Sequence, residues 1–238
     1  MISVSILGAT GRMGQLTKEL VDQDPNLKLH AALDSSAKPE QMLGADVVVD
    51  FTLPAVSEAL VEFAITNSQK ILVGTSGWSE IKLAKLAKLL AANSEAAAVV
   101  VPNFSVGSML AQRFSAEAAK YFEHAEIVEA HHAAKLDSPS GTAIRTAELI
   151  AASREQTPLV PGAGQVARGE IVASVPIHSL RLDGISAKQE TIFGAASEQL
   201  KIEHQVSSHR AYALGLLRSI EFTHQARGLV VGLEQVLG

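Results

Sequence analysis

The densest chemistry in the sequence lies in Glu129-Ala130-His131-His132-Ala133-Ala134-Lys135-Leu136-Asp137-Ser138-Pro139-Ser140-Gly141-Thr142-Ala143. Its first half puts two imidazoles and an ammonium within five residues. Imidazole exchanges a proton near neutral pH, so the histidines are candidates for general acid–base work. The second half is a turn that opens a helix, with Ser140 or Thr142 as its N-cap. Free N–H groups at a helix start attract an anion, and Lys135 adds a cation. A small carboxylate-bearing ligand satisfies both. A metal site is disfavoured. Adjacent histidines on a strand point to opposite faces, and a nearby lysine repels a cation. The plainer alternative makes the histidines hydrogen-bonded loop residues with no chemistry.

A second constellation lies near the N-terminus. Gly8-Ala9-Thr10-Gly11-Arg12-Met13-Gly14 separates a β-prone run from a helical one. Glycines let the backbone turn sharply and approach a pyrophosphate, and the helix start offers it N–H groups. The spacing G-x-x-G-x-x-G is weak by itself. Asp34 strengthens it by ending the next strand about 20 residues on, where a carboxylate can accept hydrogen bonds from ribose hydroxyls. A tight turn beside a surface acid is the alternative. Asp50-Phe51-Thr52, Gly74-Thr75-Ser76 and Pro102-Asn103-Phe104 each follow a strand-like run. Ligands of open α/β sheets bind at such strand ends, although the same residue types also make ordinary turns.

The elements that must position these residues alternate over the first half. Strands are expected at 2–7, 27–34, 45–52, 70–77 and 96–107, and helices at 12–22, 54–68 and 79–93, the last capped by Ser79. Strand–helix alternation means a parallel sheet with right-handed crossovers. The rhythm then changes. A strand at 125–132 and a helix at 142–153 are followed by a loop rich in Pro and Gly at 157–164. Three β-rich runs at 170–182, 186–194 and 198–206 lack helix-length spacers, so an antiparallel or mixed sheet is expected. A helix is expected again over 208–225.

Composition bounds the partners. The chain has 238 residues, a net charge of −5 and no Lys/Arg run, which argues against a nucleic-acid surface. It has no cysteine, which excludes disulfides, a thiol nucleophile and a thiolate metal site. MISVSILGATG lacks the features of a signal peptide, and no apolar run is long enough to span a bilayer. A soluble cytoplasmic protein that binds neither nucleic acid nor membrane is the expectation.

The run His131-His132-x-x-Lys135-x-Asp137-x-Pro139-Ser140-Gly141-Thr142-Ala143 resembles the signature of the 4-hydroxy-tetrahydrodipicolinate reductase (dihydrodipicolinate reductase) family. The glycine turn, Asp50-Phe51-Thr52, Gly74-Thr75 and Pro102-Asn103-Phe104-Ser105-Val106-Gly107 match in the expected order. The resemblance runs from residue 3 to about 237. It implies an α/β protein with a Rossmann-type parallel-sheet nucleotide domain over 1–103 and 209–238. An α+β substrate domain with a mixed, four-stranded sheet over 104–208 would also build a homotetramer. Gly8, Ala9, Thr10, Gly11, Arg12 and Met13 would hold the cofactor pyrophosphate and Asp34 the adenosine ribose. Gly74, Thr75 and Ser76, with Val101, Pro102, Asn103 and Phe104, would form the nicotinamide end. His131 would be proton donor or acceptor and Lys135 a second proton donor. His132, Gly141 and Thr142, with Ser140 and Lys135, would bind substrate carboxylates. Segments 103–107 and 207–210 would serve as the hinge of domain closure. At 209, where many members carry arginine, this chain has His209 followed by Arg210.

The implied reaction is NAD(P)H-dependent reduction of 4-hydroxy-tetrahydrodipicolinate to tetrahydrodipicolinate on the diaminopimelate route to lysine. Another two-domain nicotinamide-dependent dehydrogenase acting on a small carboxylate would share the glycine turn but has no need of the His-His-x-x-Lys set. A nucleotide sensor would need an effector domain, and none is visible. On cofactor choice, Asp34 suits the free 2′-hydroxyl of NADH and opposes the 2′-phosphate of NADPH. Ser35 stands where many members carry a phosphate-gripping arginine, leaving Arg12 and Lys38 as substitutes. NADH is therefore expected to serve at least as well as NADPH.

Overall fold

The structure is a computed structural model and describes residues 1–238. In chain order it runs β1 (Ile2–Leu7), α1 (Arg12–Gln23), β2 (Leu27–Leu33), β3 (Val47–Asp50), α2 (Pro54–Thr66), β4 (Lys70–Val73), α3 (Glu80–Ala91) and β5 (Ala97–Val100). There follow α4 (Val106–Ala118), β6 (His124–His131), α5 (Gly141–Ala152), β7 (Glu170–Val172), β8 (Val175–Arg181), β9 (Ala187–Gly194) and β10 (Gln199–Val206). The chain closes with α6 (Ala213–Gln225), β11 (Gly228–Val231) and α7 (Leu233–Leu237). It divides into two units, Met1–Val106 with His209–Gly238, and Gly107–Ser208.

The first unit is a six-stranded sheet in the order β11-β5-β4-β3-β1-β2, every pairing parallel. All residues of β3 and β5 are buried, as strands covered on both faces must be. Helix starts follow local chemistry. Pro54 occupies the first turn of α2, and the Ser79 hydroxyl accepts a hydrogen bond from the Lys82 amide to cap α3. β1 pairs with β2 on one side and β3 on the other. The chain therefore reverses its direction of winding beside the C-terminal end of β1, the place where such sheets open a crevice for ligands. Leu7, Val48, Val61, Ile65, Ile71, Val73, Leu86 and Val100 belong to its core.

The second unit is a five-stranded sheet in the order β10-β9-β6-β8-β7. β6 runs parallel to β8 and antiparallel to β9, so the sheet is mixed. Ile127, Ile177 and Phe193 on the sheet pack with Ala143, Ala147 and Ile150 of α5 to form its core.

Several elements differ from the sequence expectation, each for a local reason. The sheet of the second unit has five strands rather than four, because 170–182 folds as the hairpin β7–β8. Ala173 and Ser174 turn it with φ of 48° and 64°, a conformation normally signalled by Asn or Gly. β3 stops at Asp50 because the Asp50 carboxylate takes the Thr52 amide (2.9 Å) and hydroxyl (2.5 Å), bending the chain out of the ladder. β4 and β5 are likewise four residues each. α4 has no counterpart in the sequence reading. Its buried positions are Ser108, Ser115 and Ala118, so it lacks the large apolar stripe that announces a helix. The helix expected at 208–225 begins as a 3-10 turn at His209–Tyr212, and the four-residue β11 beyond it is too short to read from periodicity.

Candidate functional site

In the first unit, the turn from β1 into α1 is built by close backbone approach. Gly8 has φ of +75°, and a Cβ there would lie 2.5 Å from the Phe51 carbonyl oxygen. A Cβ on Gly14 would lie 2.2 Å from the Gly8 oxygen, so α1 can begin only with glycine at that position. The Gly8 and Ala9 amides both donate to Leu33 O, at 2.9 and 3.0 Å, which ties the turn to the end of β2. α1 opens at Gly11 with no side-chain cap and no acidic residue in its first turn. Its first helical bond is Gln15 N–H to Gly11 O, at 2.9 Å. The amides of Arg12, Met13 and Gly14 are thus left without helical partners, the array that receives a phosphate.

Asp34 follows β2 directly. Its Oδ1 accepts from the Ser36 amide (2.8 Å) and hydroxyl (2.7 Å). These Ser36 hydrogen bonds hold its carboxyl below the ordinary value, so it stays an acceptor. The residues present fit a dinucleotide: an uncapped helix start for the pyrophosphate and an ionised carboxylate for a ribose.

The other strand ends mostly support one another. The Asp50 carboxylate, fully buried, also accepts from the Ser57 hydroxyl. Thr75 is 5% exposed and its hydroxyl donates to Thr52 O at 3.1 Å, joining the loops after β3 and β4. The rings of Phe51 and Phe104 meet edge-on at 5.6 Å, and a Cβ on Gly74 would strike both. Val101 and Phe104 are buried, Ser76 and Pro102 are exposed, and Asn103 Oδ1 accepts from the Ser105 amide. Val101 is wholly buried, its amide donating to Val73 O at 2.9 Å.

In the second unit, β6 carries Glu129 and His131 on one face, two residues apart. His131 Nδ1 lies 2.6 Å from Glu129 Oε2. Glu129 is fully buried, and Arg181 of β8 grips both its oxygens at 3.0 and 2.8 Å. Burial pushes the Glu129 carboxyl up, but hydrogen bonds from Arg181, Ser179 and His131 outweigh it and hold the pKa below the ordinary value. Burial moves His131 down, with Glu129 opposing and Lys135 and Arg181 adding to the effect. Burial thus favours the neutral imidazole, and a carboxylate at Glu129 can only accept from it.

Beyond β6 the chain turns, with the Lys135 amide donating to His132 O at 3.0 Å. The Lys135 ammonium contacts both oxygens of Asp137, at 2.6 and 2.7 Å, and lowers that carboxyl's pKa. Of the two cap candidates, Ser140 is the one used: its hydroxyl accepts from the Ala143 amide at 3.2 Å. Its own amide donates to Glu129 Oε1 at 3.2 Å. Gly141 starts α5 beside open space, with nothing within 4 Å of a Cβ placed there. His132 is exposed. The structure thus brings together His131, Lys135 and the start of α5 on one unit, and the glycine turn and Asp34 on the other. Sequence reasoning gave Glu129 no role and passed over Arg181. Glu129 was findable, because residues two apart on a strand share a face. Arg181 lies 52 positions from Glu129 and carries no sequence signal.

An all-parallel sheet with a glycine turn opening its first helix, in one chain with a mixed-sheet unit that sets a histidine and a lysine beside a helix start, is the architecture of two-unit nicotinamide-dependent oxidoreductases. Family models narrow the class. Residues 2–104 match the N-terminal model of dihydrodipicolinate reductase and residues 107–237 its C-terminal model. The chain belongs to the dihydrodipicolinate reductase family. It is 47% identical over 237 residues to a 4-hydroxy-tetrahydrodipicolinate reductase of Clavibacter sepedonicus, covering 99% of this chain and 86% of the relative. A 4-hydroxy-tetrahydrodipicolinate reductase of Cutibacterium acnes is 40% identical, with 100% and 99% covered. A dipicolinate-bound dihydrodipicolinate reductase from Paenisporosarcina sp. TG-14 superimposes with a TM-score of 0.82 at 29% identity, covering 99% of each chain. No helix of the chain is long and apolar enough to cross a membrane.

Proposed function

We propose that this chain reduces 4-hydroxy-tetrahydrodipicolinate to tetrahydrodipicolinate with a reduced nicotinamide dinucleotide, in lysine biosynthesis through diaminopimelate. The observation that carries this reading is the pairing of His131 with buried Glu129 beside Lys135 and the open start of α5, in a chain of this family. The substrate ring bears two carboxylates. Lys135, with the amides at Gly141 and Thr142, receives one of them, and His132 assists. Ser140 holds the helix start in place. Fixing the ring this way converts binding into orientation. A reduced nicotinamide held at the glycine turn and Asp34 would supply the hydride to the unsaturated ring left once the hydroxyl has departed as water. His131 completes the reduction as proton donor once its Nε2 has taken up a proton, with Lys135 as a second donor.

On the other unit, Gly8, Ala9, Thr10, Gly11, Arg12 and Met13 hold the pyrophosphate and Asp34 the ribose. Residues 74–76 and 101–104 form the nicotinamide end. Residues 1–103 with 209–238 are the nucleotide part, and 104–208 the substrate and assembly part. The active species is a cytoplasmic homotetramer, a reading supported by the eight-residue outer edge of β10. NADH serves at least as well as NADPH, because Asp34 meets a 2′-hydroxyl favourably and a 2′-phosphate unfavourably. The test is loss of reduced-nicotinamide absorbance with the freshly made condensation product of pyruvate and aspartate semialdehyde. No loss with either cofactor would refute the reading.

A further inference from the structure

We propose that Glu129 and Arg181 form a positioning pair for the reaction, holding His131 in one tautomer and clamping the Lys135 turn to the same point. The proposal rests on the proton role given to His131. Its geometry is independent of that role. Glu129 Oε2 receives both His131 Nδ1 (2.6 Å) and an Arg181 Nη1 hydrogen (3.0 Å). Glu129 Oε1 receives Arg181 Nη2 (2.8 Å) and the Ser140 amide (3.2 Å). One carboxylate therefore fixes the imidazole and the first residue before α5. The same Arg181 Nη2 also donates to Asp137 O at 2.6 Å, and Asp137 holds the Lys135 ammonium. A single guanidinium from β8 thus joins the two groups proposed to move protons.

The pairing of strands does not require this arrangement. β6 and β8 are already joined by their ladder, with His131 opposite Arg181 and Leu182 N–H bonded to His131 O at 3.1 Å. What the buried pair adds is electrostatic. The ionisable groups around His131 are Glu129 on its own strand, Arg181 on β8 and Lys135 on the following turn, with Asp137 paired to Lys135. β9 sets Ala187 and Gln189 opposite His131 and Glu129, and the cap of α5 contributes Ser140; none of these is charged. Glu129 and Arg181 cancel, so the site is close to neutral when His131 is neutral. Glu129 then fixes the hydrogen on Nδ1 and leaves Nε2 as the exchanging nitrogen, while Arg181, sharing the same carboxylate, limits how far Glu129 raises the basicity of Nε2.

The test is imidazole-nitrogen NMR of histidine-labelled full-length protein, with His131 assigned through His131→Asn, alongside pH–rate profiles. Wild type should show the Nδ1–H tautomer. Glu129→Gln should move the titration of His131 to lower pH and Arg181→Met to higher pH, each by about one unit or more. The rate limb should move with it in each case. Turnover of Glu129→Gln should fall by about 10- to 100-fold, less than loss of an acid–base group itself, while KM for the cofactor stays unchanged. Should one variant fail to fold, the shift in the other decides. A purely structural pair would lower stability in both variants without moving the titration in opposite directions. An Nε2–H tautomer in wild type, or a titration unmoved in the folded variants, overturns the proposal. The expected NMR shifts combined with a fully active His131→Ala would instead overturn the proton role, and the catalytic meaning of the pair with it.

Discussion

His131 and Lys135 separate two kinds of contribution that kinetics can distinguish. A proton donor acts in the transition state, so His131→Ala should lower turnover by ~10²–10⁴-fold with cofactor affinity intact. Turnover within a few-fold of wild type would remove it from the mechanism. Lys135 meets a carboxylate before and during reaction, so Lys135→Ala should lower turnover and also raise KM for the ring. A change confined to cofactor affinity would contradict its placement. Asp34 makes the third residue-scale prediction. Its Oδ1 is occupied by Ser36 and its carboxyl stays ionised, so a ribose hydroxyl finds an acceptor and a 2′-phosphate finds repulsion. NADH should match or exceed NADPH in kcat/KM. An NADPH preference of ~10-fold would show that Arg12 or Lys38 compensates, and Lys38→Ala would tell which.

At the scale of elements, two glycines at helix starts have opposite demands. A Cβ on Gly14 would strike the backbone of Gly8 and Ala9, at 2.2 and 2.7 Å, so Gly14→Ala should cost about 1–3 kcal/mol and weaken NADH binding. A Cβ on Gly141 meets nothing, so Gly141→Ala should keep stability within about 0.5 kcal/mol. It should still raise KM for substrate, because the added methyl enters the space before α5. Thermal unfolding and steady-state kinetics of the two variants check both. The β9–β10 pair carries a charge ladder in which Lys188 and Lys201 flank Glu190, at 2.5 and 2.8 Å. Their hydrogen bonds lower its carboxyl from 4.5 to about 2. A depressed folded pKa means the stabilisation is complete above 4.5 and is lost as pH falls through about 2. Glu190→Gln should therefore be less stable than wild type at neutral pH, with the gap closing near pH 2; denaturant titrations at both pH values read it.

For the whole molecule, assembly follows from what the second sheet leaves open. β10 is an outer strand of eight residues, and Leu180, Leu182 and Leu200 are between 38% and 48% exposed. Such edges and apolar side chains favour cover by other copies. Light scattering should give about four times the 25.1 kDa chain, and a monomer at micromolar concentration would contradict it. The sequence by itself determined the alternating first half, the glycine turn with Asp34, an antiparallel or mixed second sheet and the His–Lys–Gly segment. Each of these is local: periodicity, turn chemistry and short spacings act between neighbours in the chain. It did not determine α4, whose buried face is small and polar, or the β7–β8 turn, whose positive φ values fall on Ala173 and Ser174 rather than glycine. Only the tertiary structure decided that Arg181 closes on Glu129, 52 positions away, and that Ser140 spends its amide on the same carboxylate. A buried charge takes its partner from whichever strand the sheet lays beside it, and that adjacency is a property of strand order, which no local pattern records.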